Sequence, residues 1–131
     1  MTEETFHLCG KSYTPSSIRE EKDEYIRLEA ASHGFALKQL INDPSSLVRS
    51  SIARIKYEHE YLAKDSSWKV RATVAKHCHP KLLKSLISDD NHFVRYIIVK
   101  RGYYLDHFIN DQDEEIADLA RYLLKNSSKH P

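Results

Sequence analysis

The chain is poor in the residues that punctuate β-rich and disulfide-stapled folds. Its 131 residues include three glycines and four prolines, too few for the many tight turns of an all-β protein. Two cysteines, Cys9 and Cys78, build no disulfide framework and fit a reduced, cytoplasmic setting. No apolar run approaches the ~18 residues of a membrane helix, so no membrane partner is expected. Met1–Gly10 has neither a basic start nor an apolar stretch, so no secretory leader is expected either. A net charge of +1 selects no partner by bulk attraction. With 40% hydrophobic and 30% charged residues, the composition is that of one ordinary folded domain.

What is present is a repeat. Ile26-Arg27, Val48-Arg49, Val70-Arg71, Val94-Arg95 and Ile116-Ala117 align at spacings of 22, 22, 24 and 22 residues. Four residues after each leading aliphatic stand Ala30, Ile52, Val74, Ile98 and Ala120. Each unit then carries an apolar pair (Leu40-Ile41, Leu62-Ala63, Leu86-Ile87, Phe108-Ile109) and, two residues later, Asp43, Asp65, Asp89 or Asp111. The periodicity predicts two short helices per unit. The first covers 46–55, 68–77 and 93–101; the second covers 35–41, 59–63, 80–87 and 103–109. Pro80 suits a first helical position. Gly34 and Gly102 share a slot where a left-handed C-terminal cap is needed.

A longer helix over 18–32 is expected to precede the repeats, with Ser17 and Glu20 at capping-box spacing. The domain plan is an arm over 1–14, the repeats over 15–126 and a tail over 127–131. A lone unit of this length cannot bury its apolar face, whereas stacked units can. The expected fold is therefore all-α, a superhelix of about five short two-helix repeats.

The pattern V-R-x-x-V-A-K … L-L-x-x-L-I-x-D-x-x-x-x-V-R, from Val70 to Arg95, resembles the leucine-rich repeat variant family and short HEAT-like repeats. The resemblance spans about Ile26–Leu124 and implies a right-handed α-solenoid that works as a binding scaffold. Some variant-repeat proteins carry a cysteine cluster for an iron–sulfur centre. Here Cys9 stands alone in that region, so no such cofactor is expected. HEAT-like DNA glycosylases are similar in architecture, but no matching catalytic constellation is found. In HEAT-like repeats, Asp and Arg six apart form a ladder within and between units. Asp43/Arg49, Asp65/Arg71 and Asp89/Arg95 have that spacing, while Asp111 is followed by Ala117. The same aspartates could cap the following helices. Both readings are structural, and carboxylates in separate units make no acid–base pair.

Three further features bear on function. The 24-residue unit places its two extra residues near His77-Cys78-His79-Pro80, predicting a loop that projects at one edge. Its spacing matches no zinc pattern, so no metal is expected. Residues 49–101 hold twelve Lys/Arg against five acids, a balance of +7, leaving −6 for the remainder. Arg54, Lys76 and Lys100 occupy one slot in successive units, with Arg101 beside them, and predict a basic row. Tyr57, Tyr103 and Tyr104 sit in inter-helix turns and, with His77 and His79, define a candidate contact edge. The expected function is non-enzymatic binding of a protein, as a small adaptor or inhibitor; a bacterial source is an inference from the resemblance. Nucleic-acid binding by the basic middle is the alternative. No small-molecule substrate is expected.

Overall fold

The computed structural model describes residues 4–127. Among them are ten α-helices and one two-stranded sheet. Of the tail expected over 127–131, Ser127 ends the last helix; residues 128–131 and 1–3 lie outside this range.

The mainly helical architecture opens on a β-hairpin, which the arm expected over 1–14 did not include. Strands β1 (Phe6–Leu8) and β2 (Lys11–Tyr13) pair antiparallel, with Phe6 opposite Tyr13. Cys9 and Gly10, the two loop residues, have φ of 54° and 73°. Positive φ at both positions is the hairpin turn whose twist matches that of the strands. Phe6 stacks on Phe35 with ring centroids 5.6 Å apart. Tyr13 is buried and donates its hydroxyl to Glu21 at 2.6 Å. That bond to a carboxylate raises the Tyr13 phenol to about 12.

The single helix expected over 18–32 is two. Helix α1 (Pro15–Arg19) starts from Thr14, which forms a reciprocal capping box with Ser17; Ser17 and Glu20 do not form one. Helix α2 (Glu24–Ser32) restarts from Asp23, whose side chain accepts the Tyr25 amide. Between them, Glu21 accepts the Asp23 amide through Oε2, and its carbonyl accepts Arg27 Nη1 at 2.6 Å. Side-chain partners thus satisfy the backbone where a continuous helix would otherwise run.

From here longer and shorter helices alternate: α3 (Leu37–Leu40), α4 (Ser46–Arg54), α5 (His59–Leu62), α6 (Trp68–His77), α7 (Pro80–Leu83), α8 (His92–Lys100), α9 (Leu105–Phe108) and α10 (Glu114–Ser127). The longer ones pack in chain order, α2 on α4, α4 on α6, α6 on α8 and α8 on α10. Their aliphatic slots, Val48 and Ile52, Val70 and Val74, Val94 and Ile98, are fully buried. Leu40, Leu62, Leu86 and Phe108 fill the same core from the second helix of each unit.

The turns between the two helices repeat as well. Gly34, Lys56 and Gly102 have positive φ in one slot, and Ala36, Glu58 and Tyr104 have it two residues later. The third unit departs from this. The projecting loop expected at His77–Pro80 is in fact the shortest of these connections, Cys78 and His79 alone, against four residues elsewhere. The two extra residues lengthen the second helix instead, as a 3-10 turn over Lys84–Leu86 that continues α7. Pro80 at the first turn and the His79 ring, which accepts the Lys81 amide, start α7 without the left-handed residues.

The Asp–Arg ladder is built differently from the six-residue pairing. Each arginine forks onto the aspartate at the end of its own unit, 16 or 18 residues on. The pairs are Arg27–Asp43, Arg49–Asp65, Arg71–Asp89 and Arg95–Asp111, each through Nε at 2.7–2.9 Å and Nη2 at 3.1 Å. What meets across six residues is Nη1 and a main-chain carbonyl: Arg49 to Asp43, Arg71 to Asp65, Arg95 to Asp89. Each aspartate also accepts the amide two residues on, of Ser45, Ser67, Asn91 or Asp113. Arg27 and Asp111 are thus the outer members of a four-rung ladder. The aspartates serve both readings at once, as ion-pair partners and as anchors of the turn that starts the next helix.

Candidate functional site

The helices α4, α6 and α8 present one solvent-facing surface, and a cleft of about 530 Å³ lies across it. Its lining follows from helical spacing. On α6, Trp68, Ala72 and Lys76 fall at i, i+4 and i+8, so a small residue separates an indole from an ammonium group. On α8, Phe93 and Ile97 form the facing wall, and Arg54 closes the cleft from the last turn of α4. Lys69, Thr73 and His77 complete the lining. Among the described residues no carboxylate lines it.

N-caps set this geometry. Ser67 accepts the Lys69 amide at 3.3 Å and starts α6 at Trp68. Asn91 accepts the Phe93 and Val94 amides and starts α8 just before Phe93. Both caps are placed by ladder aspartates, Asp65 and Asp89, through the Ser67 and Asn91 amides. Trp68 and Phe93 meet edge to face at 5.7 Å, and Phe93 stacks on Tyr96 at 6.0 Å. Trp68 is 39% exposed and Phe93 43%.

The cleft is electropositive. Among the described residues, Arg54, Lys69 and Lys76 pair with no carboxylate. His77 registers the field: burial, then Lys76 and Arg54, hold its imidazole below the ordinary histidine range. Lys76 and Arg54 lie in the last turns of α6 and α4, where cations also suit the helix dipole.

The predicted site residues divide on this map. Arg54 and Lys76 share the cleft, and Lys100 lies one helix further on, its ammonium 5.8 Å from the Tyr96 ring centroid. Arg101 is not a free member of the row. It is half-buried and donates to the carbonyls of Ala75 at 2.7 Å and Cys78 at 3.1 Å, tying α8 to the end of α6. The edge set does not converge. Tyr57 packs against the core, His79 caps α7, His77 lines the cleft, and Tyr103 and Tyr104 stay exposed, with Arg101 stacked on Tyr103. Cys78 is buried, and burial raises its thiol while Arg101 pulls the other way. Among the described residues no group of three or more His, Cys, Asp or Glu converges as a metal site.

Lys69, Phe93 and Ile97 were missed as lining residues. For Lys69 and Phe93 the signal was available in the slot before each leading aliphatic, which reads Tyr25, Leu47, Lys69, Phe93 and Glu115. That slot and the basic row bound one helix face. A smaller cleft of about 260 Å³ shares the Phe93 wall on the side of α10, and there Asp113 and Glu115 replace the cations. No helix among the described residues is long and apolar enough to cross a membrane. No protein-family model, curated protein or solved structure matches the chain.

Proposed function

We propose that this chain is a non-enzymatic binding module of the cytoplasm, a small adaptor or inhibitor, that holds a protein partner on the face of α4, α6 and α8. On this reading the molecule is a right-handed α-solenoid of about five units, resembling the leucine-rich repeat variant and HEAT-like families. Four equivalent Arg–Asp rungs and the chain-order packing of the longer helices support that arrangement. The observation that carries the function is the cleft itself: three cations with no carboxylate partner among the described residues, around half-exposed aromatic rings, the residue types that anchor protein interfaces.

Nucleic acid is the second reading, because cations beside exposed rings also hold single strands. The sign reversal at Asp113 and Glu115 ranks it second, since a long polyanion would run onto carboxylates. The test is capture of partners from the native cell by the wild-type chain and by R54E/K76E/K100E, with and without nuclease. A partner that survives nuclease and is lost with the triple variant supports the proposal. Loss of every partner to nuclease would overturn it in favour of nucleic acid.

A further inference from the structure

The strongest remaining question is what fits the cleft, and its walls narrow the choice. The positive stretch is short. On the same helix face, α2 contributes Glu29, α4 Arg54, α6 Lys69 and Lys76, α8 Lys100, and α10 Glu115 and Asp118. All of these side chains are exposed. The cationic zone is therefore three helices wide and bounded by acid on both sides.

Charge is only half of the lining. Between the cations lie the Trp68 ring, Ala72, Phe93 and Ile97, and Ala72 is the residue that leaves the hollow open. A purely hydrophilic anion would leave these rings wet, and a purely apolar ligand would leave Arg54 and Lys76 without a carboxylate and Lys69 with only the Trp68 ring, 5.9 Å from its ammonium. The complement is a chain that presents both within a few residues.

Resting on the reading of this face as a protein-binding surface, we propose that the cleft takes a short acidic peptide segment carrying one bulky apolar side chain. Its carboxylates sit on Arg54, Lys69 and Lys76, and its apolar group packs on the exposed surfaces of the Trp68–Phe93 pair, above Ala72. Charge complementarity steers the segment in and fixes its register, and desolvation of the two rings holds it.

Trp68 is the one tryptophan of the chain, so indole fluorescence reports this cleft directly. The probes are a synthetic peptide of glutamates and aspartates around a central phenylalanine, the same peptide with alanine at the centre, a lysine-substituted version, and a single-stranded oligonucleotide. The expected result is a saturable shift of Trp68 emission with the first peptide, weakened by salt. Binding should fall about tenfold or more in K76E and with the alanine-centred peptide. F93A should show a comparable loss, with circular dichroism confirming that both variants are folded. The lysine-substituted peptide should leave the emission unchanged. Tighter binding of the oligonucleotide than of the acidic peptide would overturn the proposed occupant. So would a silent Trp68 with every acidic peptide while R54E/K76E/K100E still loses a native protein partner; that pattern leaves the proposed function standing. Silence of Trp68 together with partner capture untouched by the triple variant would overturn both.

Discussion

Arg71 touches two neighbouring carboxylates that differ in burial, and this allows the ladder to be tested within one protein. Asp89 receives Nε at 2.7 Å and Nη2 at 3.1 Å, and its side chain is 7% exposed. Asp90 receives Nη2 alone at 3.3 Å and is 96% exposed. Truncating Asp89 removes the acceptor of the Asn91 amide, a turn anchor worth about 1 kcal/mol by analogy with a lost cap. It also takes the two-pronged partner from a guanidinium that is 16% exposed, leaving it, among carboxylates, only the exposed Asp90. Breaking a buried pair costs about 3–5 kcal/mol, and the low end applies because Arg71 keeps the Asp65 and Ser66 carbonyls. The expected loss for D89A is about 3–4 kcal/mol, a large share of a typical total of ~5–15 kcal/mol. D90A should lose less than about 0.5 kcal/mol. In urea unfolding followed by far-ultraviolet circular dichroism, D89A should move the midpoint down by roughly 2 M with little change in slope, and D90A should barely move it. Adding R71M to D89A should recover part of the loss, because the stranded charge goes with it. Equal shifts for D89A and D90A, or a double variant as unstable as the sum of the singles, would refute the burial argument.

Three further outcomes are expected. Val74 is fully buried, so V74D places an unpaired charge in the core and should remove roughly the whole stability; a cooperatively folding V74D by circular dichroism would contradict the packing. The His77 imidazole should titrate below the ordinary histidine range by NMR and rise in K76E, because burial and then the Lys76 charge hold it down; an unchanged midpoint in K76E would remove the electropositive cleft. Burial pushes the Asp111 carboxyl up, but Arg95 and the Asp113 amide outweigh it and leave it below its usual value of 3.8. Its folded value is thus the lower one, so its contribution is present above about pH 4 and is lost as acid carries the protein through the folded value. D111N should therefore lose stability less steeply than wild type below about pH 4 in urea unfolding, and parallel curves would refute the assignment.

Much of the helical plan was legible because burial imposes it on every unit. Val48, Val70 and Val94 had to face one core, and their spacing placed α4, α6 and α8 to within a residue or so at each end. Sequence spacing spoke less clearly where side chains compete with the backbone. The interruption at Glu21 depends on Tyr13, Arg27 and the Asp23 amide converging on one residue. The hairpin turn uses Cys9-Gly10, and a cysteine at positive φ carries no turn signal of the asparagine kind. The ladder partners were hidden because six-residue and 16-residue pairings use the same residues, and the turn geometry decides between carboxylate and carbonyl. For the site, the slot arithmetic found Arg54 and Lys76 but gave no weight to Ala72. A hollow is written in what a position lacks, and it is seen only once the flanking Trp68 and Phe93 are in place.

The four Arg–Asp rungs make the joints between units interchangeable. Each joint asks the same of its neighbours: a fork reaching forward to one carboxylate and a third N–H reaching back to a carbonyl. The Arg71 rung meets that demand over 18 residues while the other three do so over 16, so the added turn of the third unit is absorbed between joints and not at them. A segment cut from one joint to the next can therefore be removed or duplicated with both ends still matching. The rungs act as a common coupling, and the length of this protein becomes a parameter that whole-unit insertion or deletion could change without redesigning the core.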